Sequence, residues 1–232
     1  MIDSERTYER VRLASSAVIT PNGLFLLKEA LWPHVRFSRK QVEIVESVAL
    51  DLSTVVPAGN KLGKDFVAGF LVAACSTICA AKNIQFKIVT SSATKEHLDN
   101  LWGEIDYFIS SSRMPLTTQR GGKLVYLPLG QRIGIMGESL YDGSPEHKTN
   151  SYVVSRVITN ENKGEGLQGH HAPWNLWVAD EASGMSDTAH RMAKTWAKHM
   201  LVIGNCWPTV NFFYRAVKGD PSTNDPGGDL AA

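Results

Sequence analysis

Hydrophobic residues fall into short runs that alternate with longer stretches of helical pattern. Apolar runs at 55–56, 86–90, 176–179 and 201–203 predict buried β-strands. Between the first two, residues 65–81 are apolar on nearly every face, which predicts a helix enclosed within a domain. This alternation predicts an α/β fold of three layers, in which a mainly parallel central sheet carries helices on both faces.

Weaker patterns fill in the rest of the chain. Hydrophobic residues from Leu98 to Ile109 recur at helical spacing, so 94–110 is predicted to be an amphipathic helix with Thr94 as its cap. Further helices are expected within 1–50, at 186–199 and at 212–217, and further strands at 123–128, 132–137 and 152–158. The polar, glycine-containing residues 139–169 are interpreted as a loop around the last of these strands.

Composition and charge then limit the class of protein. The chain has 232 residues, 43% of them hydrophobic and 20% charged, which is typical of a globular protein. Its net charge is +1, so no strongly electropositive nucleic-acid surface is indicated. Residues 1–13 are too polar for a secretory signal, and the apolar run 66–81 is short for a membrane span. We therefore expect a soluble protein without a membrane contact.

Three parts are distinguished by composition. Residues 1–50 are predicted to be a helical lead-in, 51–219 a single α/β core, and 220–232, rich in Pro, Gly and Asp, a flexible tail or linker. The three cysteines, Cys75, Cys79 and Cys206, lack both CxxC spacing and an even count, which disfavours disulfides and a zinc site and fits a reducing compartment. The adjacent His170 and His171 are interpreted as a loop pair, because neighbouring side chains diverge and no further ligand has suitable spacing.

The segment 57–66 has the composition of a phosphate-binding loop. Its residues are Pro57, Ala58, Gly59, Asn60, Lys61, Leu62, Gly63, Lys64, Asp65 and Phe66. It follows a predicted strand and opens the apolar helix, so backbone N–H groups can converge on an anion and Lys64 adds a positive charge. Against the pattern GxxxxGK[ST], the first glycine is displaced and an acid replaces the hydroxyl residue. An ordinary turn before a helix has the same composition, so this segment alone leaves both interpretations open.

Polar residues at the ends of the other predicted strands make the nucleotide interpretation more specific. Asp180-Glu181 follows one buried strand and Gly204-Asn205 follows the next. In parallel α/β sheets the carboxyl ends of the strands carry the ligand site. With the loop, these residues are the parts of a nucleoside triphosphatase that has a catalytic glutamate. Asp180 would hold magnesium, Glu181 would activate water, and Asn205 would contact that water or the γ-phosphate. The alternatives are a carboxylate pair in a surface turn and an ordinary turn asparagine.

Asp65 departs from the usual loop. A carboxylate there can bind magnesium more strongly than a hydroxyl does, but it places negative charge near the phosphates when no metal is bound. The alternative is an acid that merely stabilises the first turn of its helix, by about 0.3 to 1 kcal/mol. We favour metal contact, which makes Asp65 and Asp180 the predicted metal ligands.

Five segments together resemble the N-terminal packaging-ATPase domain of the large terminase subunits of tailed bacteriophages. These segments are 37–41, 58–65, 89–93 with 101–102, 166–170 leading into 178–182, and 201–205 with 212–214. The likeness therefore extends over residues 37 to 215. The last two segments are the most specific, because an Asp-Glu-Ala strand end followed by Gly-Asn and an aromatic cluster resembles this family's motif for coupling hydrolysis to motion.

The resemblance implies a P-loop NTPase of the RecA/ASCE-like class that uses ATP and Mg2+ to move double-stranded DNA into an empty capsid. By position, Gln41 would contact adenine, Lys64 and the loop from Ala58 to Phe66 the phosphates, and Asn205 the coupling step. The implied partners are DNA, a portal ring and a small terminase subunit. The implied assembly is a homo-oligomeric ring on the portal, monomeric in isolation, in the cytoplasm of the bacterial host.

Two features of the family have no clear counterpart. The arginine that such rings use has no assigned position; Lys61 within the loop, or Arg132, Arg156 or Arg215 from a neighbour, are the candidates. No acid cluster for a nuclease domain follows the core, so DNA cutting is not expected. The competing interpretations are a helicase-like ATPase and a nucleotide-binding assembly adaptor with little turnover, which Asp65 keeps open. Lysines and arginines near 111–123 and 139–163 are candidates for DNA contact.

Overall fold

The computed structural model describes residues 19–51, 53–59, 62–117, 121–126, 130–135, 151–159, 162, 164–205 and 210–219. Its helices are α1 (Pro21–Leu31), α2 (Arg39–Leu50), α3 (Lys64–Ala81), α4 (Lys95–Ser111), α5 (Asp187–Lys194) and α6 (Phe212–Lys218). Its strands are β1 (Ser53–Pro57), β2 (Phe86–Ser92), β3 (Leu124–Tyr126), β4 (Arg132–Ile135), β5 (Tyr152–Val157), β6 (Trp174–Ala179) and β7 (His199–Gly204). Asn60, Lys61 and the predicted tail lie outside the described residues.

The described strands form one sheet in the order β1-β7-β6-β2-β5-β4-β3. The first five strands in this order, β1, β7, β6, β2 and β5, are all parallel to their neighbours. At the other edge, β4 is antiparallel to β5 and β3 is antiparallel to β4. The predicted α/β fold with a mainly parallel sheet is therefore confirmed. Because parallel strands end at the same edge, the carboxyl ends of β1, β7, β6 and β2 lie side by side.

Alternate residues of each strand supply two separate cores. On β6, Leu176 and Val178 pack into the larger core with α1 to α4, whereas Trp177 and Ala179 pack into a smaller core with α5 and α6. Side chains of a strand alternate between the two faces of a sheet, so one apolar run serves both cores. This double burial explains why the central strands are almost wholly hydrophobic and why the fold has three layers.

Helix α3 is enclosed, as its pattern predicts. It is long and apolar enough to cross a membrane by length and composition, yet 83% of it is buried inside this fold. A core helix meets the same criteria, and the contacts of α3 are those of a core helix. It packs closely on α4 at Gly69, where a Cβ atom would lie 2.7 Å from the Cβ of Glu104.

The predicted helix 186–199 is wrong at its end. Helix α5 stops at Lys194, and His199 already begins strand β7. Tertiary contacts turn the chain in between, because the indole N–H of Trp196 donates to the carbonyl of Leu167 in the smaller core. Elsewhere, α4 begins after Thr94, whose side chain accepts from His97 N as predicted for a cap.

Candidate functional site

Lys64 and the Asp180-Glu181 pair meet at the carboxyl edge of the sheet. The Lys64 ammonium donates to Glu181 Oε1 and lies 3.7 Å from Asp180 Oδ1. Lys64 is the first residue of α3, whereas the two acids directly follow β6, far later in the chain. Lys64 and Asp180 are both buried. The fold thus brings together three residues that the sequence predicts for one site.

Burial of Lys64 is compensated by the two acids. Burial alone would lower the pKa of the Lys64 ammonium, but the hydrogen bond to Glu181 and the charge of Asp180 raise it above its ordinary value. Lys64 therefore remains a cation inside the site. A buried cation at a helix N-terminus is suited to binding an anion.

The loop before α3 is fixed at both of its described ends. Ala58 N donates to the carbonyl of Gly204 at the end of β7, over 3.0 Å. At the other end Gly63 has φ +69°, a left-handed conformation that favours glycine. No side chain caps the N-terminus of α3, so no side-chain oxygen competes there for the first backbone N–H groups.

Gln41 supports this loop from helix α2. Its side-chain oxygen accepts from Ser38 N in a capping box, and its amide nitrogen donates to the carbonyl of Gly63 over 3.2 Å. A Cβ atom on Gly63 would lie only 2.6 Å from that amide nitrogen. The structure places Gln41 beside the loop; its contact with adenine stays a prediction.

Asp65 and Asp180 are the electrostatically unfavourable part of the site. Burial, followed by the charge of Asp65, raises the pKa of Asp180 to about 7 despite the opposing charge of Lys64. Burial likewise raises the pKa of Asp65, against the opposing charge of Lys64. Both Asp180 oxygens and Oδ1 of Asp65 are buried without a hydrogen-bond partner. Two buried carboxylates with unsatisfied oxygens favour a cation between them.

These residues fit a magnesium ion. Magnesium prefers oxygen ligands, and it usually takes one or two protein carboxylates together with waters and phosphate oxygens. Within the described residues, no group of three or more His, Cys, Asp or Glu side chains forms a complete metal site. Asp65 and Asp180 therefore match the partial ligand set of a magnesium–nucleotide site and not that of a metal bound by protein alone.

Glu181 has an unusual backbone conformation. Its φ of 50° lies in the left-handed region, which a residue with a side chain adopts at some cost. Asp180, the residue before it, is hydrogen-bonded to the neighbouring strand β2, because Asp180 N donates to the carbonyl of Ser91 over 2.8 Å. A short 3-10 turn, Ala182–Gly184, follows directly. Such conformations cluster at functional sites, where surrounding structure maintains them.

Asn211 is a site-supporting residue that the sequence analysis missed. Its side-chain amide is buried and donates to the carbonyls of Ala182, Ser183 and Met185 at 2.9, 3.2 and 2.9 Å. Its oxygen accepts from Tyr214 N and so caps α6. Asn211 therefore ties the turn after Glu181 to the last described helix. The only sequence signal is an asparagine before a helix, which is ordinary for a cap.

Other predicted residues have less defined places. Asn205 directly follows β7, at the edge where the loop and the acids lie. Phe66 packs its ring against Phe37 and Phe108, so any contact with a nucleotide would come from its backbone. Leu62 and Gly59 are exposed in the loop. Among the candidate arginines, Arg215 pairs with Asp187 at 2.7 Å.

The fold and the site define an α/β domain with a mainly parallel sheet, at whose carboxyl edge a lysine and two acids meet. The ATPase domain of the large terminase of Thermus phage P74-26 is similar, with a TM-score of 0.53, 12% identity and coverage of 78% of this chain and 69% of that chain. A point mutant of that domain gives the same score, with 70% of its chain covered.

The large terminase of bacteriophage HK97 is also similar, with a TM-score of 0.49 and 13% identity over 74% of this chain. This chain spans 33% of that protein's length. At these identities the comparison concerns the fold alone, which this chain shares with the ATPase domain of the Thermus phage P74-26 large terminase. No family model matches the sequence, and no curated protein is significantly similar to it.

Proposed function

We propose that the protein is a magnesium-dependent ATPase that drives double-stranded DNA into a viral procapsid, as the motor of a terminase. The observation that carries this proposal is the contact of Lys64 with Asp180 and Glu181 at the carboxyl edge of the sheet. The fold shared with phage terminase ATPase domains supports the motor part of the proposal.

Binding would use the N-terminus of α3. The uncapped backbone N–H groups and the Lys64 ammonium are positioned to hold the phosphates of ATP. A triphosphate at this point would compete with Glu181 for Lys64. That competition would release the Glu181 carboxylate for catalysis, so nucleotide binding and activation of the base would be coupled.

Hydrolysis would then depend on Glu181 as a general base. Its carboxylate would accept a proton from water as the water oxygen bonds to the γ-phosphorus and the bond to the β-phosphate oxygen breaks. The electron pair of that bond would leave with ADP. Asp65 and Asp180 would hold Mg2+, which supplies charge neutralisation for the phosphates when bound.

Gly204, Asn205 and Asn211 would pass the change caused by ATP hydrolysis on to the rest of the domain. The carbonyl of Gly204 accepts a hydrogen bond from Ala58 N in the loop. A Cβ atom added to Gly204 would lie 3.0 Å from Ala182 N, so the ends of β7 and β6 are in close contact. Asn211 continues this connection to α6. In the proposed setting, the motor works as a ring on the portal with the small terminase subunit, in the host cytoplasm.

An assembly adaptor that binds nucleotide but barely hydrolyses it is the second candidate. The observation that favours it is Asp65 in place of a hydroxyl residue. Burial raises the pKa of this acid, so the ionised form that would bind Mg2+ is disfavoured. The two candidates differ in whether ATP hydrolysis moves DNA.

Lys64→Ala should abolish DNA movement, which can be measured by displacement of a triplex-forming strand from duplex DNA, together with ATP turnover. The matched control is Lys82→Ala, at the C-terminus of the same helix, which should leave both activities unchanged. The assay requires high protein concentration and reconstitution on a portal, because ring ATPases work with neighbouring subunits. If the wild type binds ATP but neither hydrolyses it nor moves DNA, the adaptor function replaces the motor.

A further inference from the structure

Two arginines lie side by side on strands β4 and β5, and neither contacts Lys64, Asp180 or Glu181 in the described residues. Arg132 on β4 is directly opposite Val154 on β5, and Arg156 is two residues further along the same strand. Residues directly opposite each other, and residues two apart on one strand, share a face of the sheet. Arg132 and Arg156 therefore project from the same face, next to each other, on the side of the smaller core.

Neither arginine has an acidic partner in the part of the chain that the structure describes. Arg156 donates to the carbonyls of Gly166 and Ser155, at 3.3 and 2.9 Å. The Nε atom of Arg132 is buried without any hydrogen-bond partner. The N–H groups of a buried guanidinium normally have hydrogen-bond acceptors. Here the Nε–H of Arg132 has none, and the neighbouring side chain on the same face, Arg156, is another cation.

The surrounding groups add to the positive charge. Burial, followed by the charge of Arg132, lowers the pKa of the Arg156 guanidinium. Lys87 on β2, directly opposite Tyr152, holds its ammonium 5.4 Å from the centre of the Tyr152 ring on the same face. Tyr152 and Arg156 are four residues apart, which is about 13 Å along a strand. The cations thus extend along a line and do not surround a single point.

We propose that Arg132 and Arg156, with Lys87 further along the line, bind successive backbone phosphates of nucleic acid. One guanidinium can hold one phosphate by two N–H groups, and the extension toward Lys87 suits an extended polyanion better than a free phosphate ion. This assignment rests on the proposed function only in naming DNA as the nucleic acid. The DNA-binding measurement that tests it does not depend on ATP hydrolysis.

The test compares duplex DNA binding by the full chain over a series of salt concentrations. For the double variant Arg132→Ala/Arg156→Ala we expect about tenfold weaker binding, and a salt slope smaller by roughly 1 to 2, since each phosphate contact contributes about 0.9. Arg132→Lys/Arg156→Lys, which keeps both charges, should retain most of the slope. Arg39→Ala, whose side chain is 92% exposed on α2, is the matched control and should behave as wild type.

An unchanged slope in the alanine double variant would overturn the assignment, and so would absence of DNA binding by the wild type. If the alanine double variant does not fold, the salt slope of Arg132→Gln alone is the test, since the Nε of Arg132 has no hydrogen-bond partner in the described fold.

A loss of inorganic phosphate binding without a change in the salt slope would overturn the assignment and mean a free-ion site. A change in self-association by sedimentation, again with an unchanged slope, would mean a protein contact. ATP binding measured on the same samples separates these failures from failure of the proposed function.

Discussion

His190 of α5 is buried between two aromatic rings of the smaller core. Its ring lies 4.4 Å from that of Phe212, nearly parallel to it, and 6.1 Å from that of Trp177. Burial, with the nearby charge of Lys194, lowers its pKa to about 4, although Asp187 opposes the shift. The folded protein therefore keeps His190 neutral over a pH range in which the unfolded chain would protonate it.

The sign of the pH effect follows from this difference. Between the unfolded pKa of about 6.5 and the folded value of about 4, the unfolded chain binds more protons, so stability falls as the pH is lowered. His190→Phe keeps the stacking and removes the titration. We expect it to recover about 1 to 2 kcal/mol at pH 5 relative to pH 7.5, measured as Tm or by denaturant unfolding. The same loss of stability in wild type and variant would contradict this account.

At the residue scale, the sequence predicts the groups that are chemically unusual in their setting. Lys64, Asp180 and Glu181 were identifiable because a charge directly before an apolar helix or after an apolar strand has few structural reasons to be there. Asn211 was not identifiable, because a helix cap has the same sequence signal whether or not its amide also holds a neighbouring turn. The pairing of Arg132 with Arg156 depends on strand register, which local patterns do not determine.

Helices α3 and α4 allow a comparison of one substitution in two environments. Gly103 of α4 is exposed, and a Cβ atom added there would have nothing within 4 Å, whereas Gly69 of α3 faces the backbone of Glu104. Gly103→Ala should therefore raise the free energy of unfolding by about 0.5 to 1 kcal/mol through helix propensity. Gly69→Ala should lower it by about 1 to 3 kcal/mol, because two packed helices must separate. Chemical denaturation of both variants measures the difference, and equal signs would show that the α3–α4 contact is misplaced.

Asn211 is the connection between the turn after Glu181 and helix α6. Asn211→Asp keeps the oxygen that accepts from Tyr214 N but replaces the amide that donates to three carbonyls. We expect a loss of about 1 to 3 kcal/mol of stability and at least a tenfold lower kcat, with the Kd for ATP nearly unchanged, because Glu181 loses its support. Asn211→Ser, which also keeps a cap, should show the same loss of kcat. Turnover at the wild-type level in both variants would mean that the link has no part in catalysis.

Helix and strand positions were predictable wherever the local pattern decides them. Helix α4 and its Thr94 cap follow directly from periodicity and cap chemistry, and α3 follows from its uniform hydrophobicity. The end of α5 was not predictable, because the chain turns where Trp196 finds a distant carbonyl and where Lys198 N donates to the side chain of Asn175. These contacts join segments that are far apart in sequence, and they override a helical pattern.

The order of strands across the sheet turns separate sequence features into one site. Strand β1, which precedes the loop before α3, lies next to β7, and β7 lies next to β6. This loop, Asn205 and the two acids therefore occupy consecutive strand ends. The sequence predicted that these ends would share an edge, since parallel strands require it. The sequence did not predict the neighbours of each strand, which depend on how the helices cross between strands.

The most direct measurement of the central claim is a single-turnover ATP hydrolysis assay with the protein in excess of labelled ATP and magnesium present. The wild type should convert bound ATP to ADP. Glu181→Gln should bind ATP with a similar Kd and convert it at least about 100-fold more slowly, since a general base contributes roughly that much or more. The control variant Glu165→Gln, at an exposed position, should behave as wild type. Hydrolysis by Glu181→Gln at the wild-type rate, or failure of the wild type to bind ATP, would contradict the assignment of the site.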